Sequence, residues 1–121
     1  MNVLDSFSLE GKVAVVTGGA GMYGRQIVEA CAEAGAVTVT ASRNLQSQQE
    51  LAAQLGERGM KVEAEQYDQG EEDSIVALRD RVMKRHGRVD VLVNNAVLRA
   101  MKGTRSREEF ALSMKVNVTG V

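Results

Sequence analysis

The chain has 121 residues, enough for one domain with a real core and too few for a binding domain plus a separate substrate domain. Hydrophobic residues make up 44% and charged residues 26%, which excludes disordered, collagen-like and disulfide-scaffold chains. The net charge is −1 with Lys and Arg scattered along the chain, so no basic field exists to hold nucleic acid.

In chain order, the first ten residues, MNVLDSFSLE, lack the basic and apolar regions of an export signal, and no later run reaches the length of a membrane span. VAVVT, residues 13–17, reads as a fully covered strand. A glycine-rich turn leads into a helix from about Met22 to Ala34, whose spacing puts Ile27, Cys31 and Ala34 on the buried stripe, with Gly35 as the stop. Cys31 is the only cysteine, with no Cys or His at metal-ligand spacing, and reads as a small core residue of a cytoplasmic protein without a metal site.

VTVTA, residues 37–41, is the second strand. A helix follows with Asn44 as N-cap and Leu51 and Leu55 inward, broken by Gly56 and Gly59. KVEAEQY alternates Val62 and Ala64 with Lys61, Glu63 and Glu65, the pattern of a half-exposed edge strand. The third helix begins in Glu71, Glu72 and Asp73 and ends in Lys84, Arg85 and His86 before Gly87, matching the macrodipole, with His86 expected at the C-terminal cap. VDVLVNN is an apolar fourth strand; as an edge it is poorly protected, so a further strand or another chain is expected beside it. The last helix opens on a capping box, Ser106 and Glu109, and turns Phe110, Met114, Asn117, Val118 and Val121 to one face.

Strand and helix alternate with short connections, no proline and no repeat, which predicts one α/β domain over 1–121: a doubly wound parallel sheet of Rossmann type, strand order 3-2-1-4, without the later strands. Within it, Thr17-Gly18-Gly19-Ala20-Gly21-Met22-Tyr23-Gly24 joins a Val-rich strand to an amphipathic helix. Gly18, Gly21 and Gly24 allow a sharp turn, close approach to a pyrophosphate and tight helix-on-strand packing, with the helix N-terminus toward the anion.

This turn, Asn94-Asn95-Ala96 at the end of the fourth strand and Asn117-Val118-Thr119-Gly120 in the last helix together resemble the short-chain dehydrogenase/reductase family, in order and separation, across nearly the whole chain. Two positions depart from its pattern. Met22 stands where one branch usually has glycine or alanine, and Val97 replaces the glycine after Asn-Asn-Ala. The resemblance implies a nicotinamide cofactor, a small alcohol or carbonyl substrate and a homo-oligomer, with neither nucleic acid nor membrane as partner.

NAD-selective folds of this kind commonly carry an acid at the end of the second strand, where it repels a 2′-phosphate. Ser42 occupies that position, and Arg43 offers a planar fork to the phosphate, with Ser42 and Asn44 as further donors. NADP(H) is therefore expected over NAD(H). By resemblance, Asp68 takes the adenine amino group with the Gln69 backbone beside it, Asn95 and Ala96 line the nicotinamide-side ribose, and Asn94 braces neighbouring strands.

Of the family's tyrosine, lysine, serine and asparagine, only the asparagine is matched here, as Asn117. The only tyrosines are Tyr23 and Tyr67, followed four residues on by Ile27 and Glu71, so Tyr-x-x-x-Lys is absent and no turnover is expected of these 121 residues. The chain reads as the cofactor-binding half of an oxidoreductase. The alternatives are a non-catalytic nucleotide-binding or interaction module and, on the same fold, isomerase or lyase chemistry.

Overall fold

Residues 2–97 and 106–121 are described by a computed structural model. Strand β1 (Val13–Thr17) is buried at every position, between β2 (Val37–Ser42) and β4 (Val91–Val93), with β3 (Val62–Gln66) outside β2. All pairs are parallel: Val15 lies opposite Val39 and Leu92, and Thr40 opposite Ala64. The order is thus 3-2-1-4, as the covered and alternating strands predict.

Helices α1 (Met22–Glu33) and α2 (Leu45–Glu57) cover one face, packing Val28, Leu51 and Leu55 on Val16. Helix α3 (Glu72–His86) covers the other, packing Leu78 and Val82 on Val13, Val15 and Val39. Each of these side chains contributes about 1.5–3 kcal/mol by leaving water. Asn44 Oδ1 caps α2 by accepting the Ser47 N–H at 3.2 Å, and Gly87 ends α3 in the left-handed region, φ 72°. Ser106 and Glu109 form the expected capping box of α4 (Arg107–Met114), which continues as a π turn, Lys115–Thr119. A short 3₁₀ helix, Val3–Phe7, capped by Asn2 and Asp5, precedes the sheet.

Five local expectations are corrected. The buried line of α1 is Gly24, Val28 and Ala32; Ile27, Cys31 and Ala34 flank it half-buried, because the contact with the sheet runs through the glycine. Gly56 does not break α2, which runs on to Glu57; a glycine there costs about 0.5–1 kcal/mol, too little to end a packed helix. Glu65 is buried, bound by Arg81 Nε at 2.9 Å and Arg85 at 2.7 Å, so the polar face of β3 lies under α3 and is neutralised by ion pairs. His86 reaches sideways to Glu63, Nε2 to Oε1 at 2.9 Å, and does not cap its own helix. Finally, Phe110, Met114, Val118 and Val121 are exposed, while Ser113, Val116, Asn117 and Gly120 are half-buried, because this segment meets the turn after β3 through Val116 and Gly120.

Strand β4 is an open edge among the described residues, with Leu92 59% exposed. No helix of the described residues is long and apolar enough to cross a membrane.

Candidate functional site

At the carboxyl end of β1 the chain turns at Gly18, φ +68°, a backbone conformation that disfavours any side chain. Gly18 N–H donates to Ala41 O at 2.8 Å and Gly21 N–H to Gly18 O at 3.1 Å, which aims α1 away from the strand end. Gly21 is the N-cap of α1 but supplies no capping side chain, and the first turn holds no acid. The helix therefore points unsatisfied N–H groups and the positive end of its dipole outward. A methyl at Gly21 would touch only Gly18 O, at 3.3 Å, so that side of the loop is open.

Within the loop the tightest glycines are Gly24, as expected, and Gly19, which the spacing argument passed over. A methyl at Gly24 would overlap Gly18 O and come within 2.8 Å of Asn95 Nδ2; one at Gly19 would overlap the Thr40 hydroxyl and come within 2.7 Å of Val28 Cγ2. Both let α1 sit against the sheet, so Gly24 acts in packing beneath the loop.

Thr17 organises the floor. Its hydroxyl accepts the N–H groups of Asn95 at 3.1 Å and Ala96 at 3.0 Å and donates to Val93 O at 3.4 Å. Asn95 Nδ2 donates to Gly18 O at 3.1 Å. The brace between strand ends thus comes from Asn95, while Asn94 is exposed, which corrects the expected division of roles. Thr17 was not singled out in the sequence, because a threonine ending a strand looks like any β-branched residue.

Above this floor lies a crevice of about 610 Å³. It brings together Gly18, Gly21, Met22, Tyr23, Asn95 and Ala96 from the loop and floor, Ser42, Arg43 and Asn44 from the end of β2, and Asp68 and Gln69 from the end of β3. Met22 and Val97, the departures from the family pattern, also line it and are exposed. Among the described residues the Arg43 guanidinium has no hydrogen-bond or ion-pair partner, and Arg43 is exposed. Ser42 is more committed than expected. Its oxygen accepts Asn44 N–H at 3.1 Å and Gln48 Nε2 at 2.9 Å, and its proton goes to Asn44 O at 3.3 Å. Gln48, 1% exposed and hydrogen-bonded to Thr40, anchors that serine from below.

The short chain dehydrogenase family matches residues 12–121. The chain belongs to the short-chain dehydrogenase family. It is 39% identical over 93% of its length to an uncharacterized oxidoreductase of Thermotoga maritima, covering 44% of that protein. A metagenomic short-chain oxidoreductase solved in complex with NADP superposes with a TM-score of 0.87 at 31% identity, over 93% of this chain and 52% of that one. A gluconate 5-dehydrogenase from Burkholderia cenocepacia, solved with NADP and tartrate, gives 0.86 at 30% identity, over 98% and 48%. The chain thus spans about half the length of the proteins it matches.

Two short-chain dehydrogenase positions, Asn117 and Gln69, meet at the turn after β3. Asn117 does not line the crevice; its Nδ2 donates to Ser113 Oγ at 3.1 Å, and Val116 lines the crevice instead. The Gln69 side chain turns inward, taking the Tyr67 hydroxyl at 2.9 Å and donating to Val116 O at 2.7 Å. Asp68 Oδ1 accepts the Gly70 N–H at 2.8 Å, and Ser74 Oγ accepts the Asp68 N–H at 2.8 Å, which hold the turn after β3. Tyr67 lines the crevice, but burial pushes its hydroxyl above the usual tyrosine range, and it has no lysine four residues on. Among the described residues no cluster of His, Cys, Asp or Glu could hold a metal ion.

Proposed function

We propose that this chain is the cofactor-binding half of an NADP(H)-dependent oxidoreductase that interconverts an alcohol and a carbonyl compound. The observation that carries the reading is the crevice itself, with an uncapped helix N-terminus on one side and an unpaired Arg43, flanked in sequence by Ser42 and Asn44 and by no acid, at the end of β2. That donor set suits an anionic dinucleotide with a further phosphate. Met22 and Tyr23 would hold the pyrophosphate through the free backbone N–H groups of the first helical turn, and Gly18 and Gly21, whose N–H groups are used within the loop, would let it approach closely. Arg43 and the Asn44 amide would take the 2′-phosphate, Asp68 and the Gln69 backbone the adenine, and Asn95 and Ala96 the second ribose. Two solved relatives carry NADP, in keeping with this choice.

When bound, the nicotinamide supplies or takes up hydride. The chain's own residues bind and orient, and Asn117 is the residue proposed to support proton transfer. Without Tyr-x-x-x-Lys these 121 residues hold the cofactor and do not turn over. A second reading, a nucleotide-binding module that pairs through β4 without catalysis, draws on the exposed edge at Leu92.

The deciding experiment titrates the chain with NADPH and NADH by nucleotide fluorescence or calorimetry. NADPH tighter by about tenfold or more supports the proposal. Equal affinities would remove Arg43 from it, and no binding of either would remove the crevice.

A further inference from the structure

The π turn changes which carbonyl receives the Gly120 N–H. In a continuous α-helix that donor would go to Val116, four residues back. Here it goes to Lys115 O, five residues back, at 2.9 Å. A carbonyl released inside a protein needs another donor, and Val116 O accepts Gln69 Nε2 at 2.7 Å. Gln69 is 5% exposed, and its Oε1 accepts the Tyr67 hydroxyl at 2.9 Å. A buried primary amide therefore stands between the end of β3 and the π turn with both ends used. The fit is close: a methyl at Gly120 would overlap the Gln69 carbonyl oxygen and come within 3.0 Å of Gln69 Cγ.

Gln69 follows Asp68 at the proposed adenine end of the crevice, and Val116 immediately precedes Asn117. We infer that Gln69 is a positioning residue whose side-chain amide keeps the π turn in register and couples occupancy of the adenine end to the placement of Asn117. This rests on the nucleotide reading above. An ion pair, Lys115 Nζ to Glu71 Oε1 at 3.0 Å, crosses the same junction, but both side chains are exposed and such pairs contribute little. The buried amide is the stronger link, because replacing it with an apolar side chain removes the donor to the Val116 carbonyl and the acceptor of the Tyr67 hydroxyl together.

The test uses isotope-labelled chain and adenosine 2′,5′-bisphosphate, which has the adenine and phosphates but no nicotinamide. In the wild type, saturation slows hydrogen exchange at the Gly120 amide by about fivefold or more. In Gln69→Met, of similar length but without donor or strong acceptor, the probe changes Gly120 exchange by less than about twofold. The through-hydrogen-bond coupling of Gly120 N in that variant moves from the Lys115 to the Val116 carbonyl carbon. A stabilising role alone would lower Tm without altering this response to ligand. If the probe binds the wild type and Gly120 does not respond, or responds equally in Gln69→Met, the coupling is refuted and the nucleotide reading stands. If the probe does not bind the wild type, both fall. Should Gln69→Met fail to fold, the wild-type response decides alone.

Discussion

Gly19→Ala tests whether the glycine loop is fixed by packing beneath it as well as by the ligand above it. The added methyl would overlap the Thr40 hydroxyl and stand 2.7 Å from Val28 Cγ2 and 2.9 Å from Thr40 Cβ, and both residues are fully buried. Overpacking of this kind costs about 1–3 kcal/mol. Displacing the Thr40 hydroxyl also takes away the donor to Gln48 Oε1, which adds about 1–3 kcal/mol for a buried acceptor left unpaired. A loss of about 2–6 kcal/mol lowers Tm by roughly 6–24 °C in a domain of this size. Gly56→Ala is the control: nothing lies within 4 Å of its added methyl, and the substitution should raise stability by about 0.5–1 kcal/mol through helix propensity. Thermal and urea unfolding, followed by circular dichroism, measure both. If Gly19→Ala is as stable as the wild type, or Gly56→Ala loses as much as Gly19→Ala, the packing argument is wrong.

Arg43→Ala should weaken NADPH about 10- to 100-fold and leave NADH within about twofold, read by the same titration; equal losses for both nucleotides would contradict the proposed phosphate contact. The Arg88 guanidinium, and secondarily the Val13 N–H, hold the Asp90 carboxyl below its usual range. A pKa depressed by folding stabilises above the unfolded value of about 4 and is lost as pH falls through the folded one. Asp90→Asn should therefore cost stability at pH 7, with the gap to wild type closing below about pH 4; a gap constant in urea melts down to pH 2 would refute the assignment. Burial pushes the Cys31 thiol up, so iodoacetamide should label it slowly at pH 7.5 in the native chain and at the rate of a free thiol in 6 M guanidinium, followed by mass spectrometry.

Much of the fold was legible because the two kinds of strand differ in what covers them. A run without polar alternation in β1, VAVVT, marked a centre, and alternation in β3 marked an edge, so the strand order followed. The same alternation misled about what the glutamates meet, since Arg81, Arg85 and His86 reach them from α3, and pairing between elements leaves no periodic trace. In α1, counting large apolar residues favoured Ile27 and Cys31, whereas the closest approach to the sheet needs the smallest residue, Gly24. In α4 the apolar side chains do not mark the inward face, because the segment meets the turn after β3 through Val116 and Gly120, which misplaced Phe110, Met114 and Val118.

The expected crevice residues largely meet at one place, because their positions follow from the ends of parallel strands. Hidden from the sequence were Gln48 and what the side chains of Thr17 and Gln69 bond to beneath the crevice. Gln48 shares the inward face of α2 with Leu51 and Leu55, where an amide reads as an interruption of the apolar pattern. Its role shows only with Thr40 and Ser42 around it.

The Thr17 hydroxyl has one proton and two lone pairs, and with Asn95, Ala96 and Val93 around it all three are in use. A rotor with every valence engaged has one orientation, so the ends of β1 and β4 keep a single shape before any ligand arrives. The ordering of that floor belongs to the folding reaction, and a dinucleotide settling there need immobilise only itself and the exposed Met22, Tyr23 and Arg43 side chains.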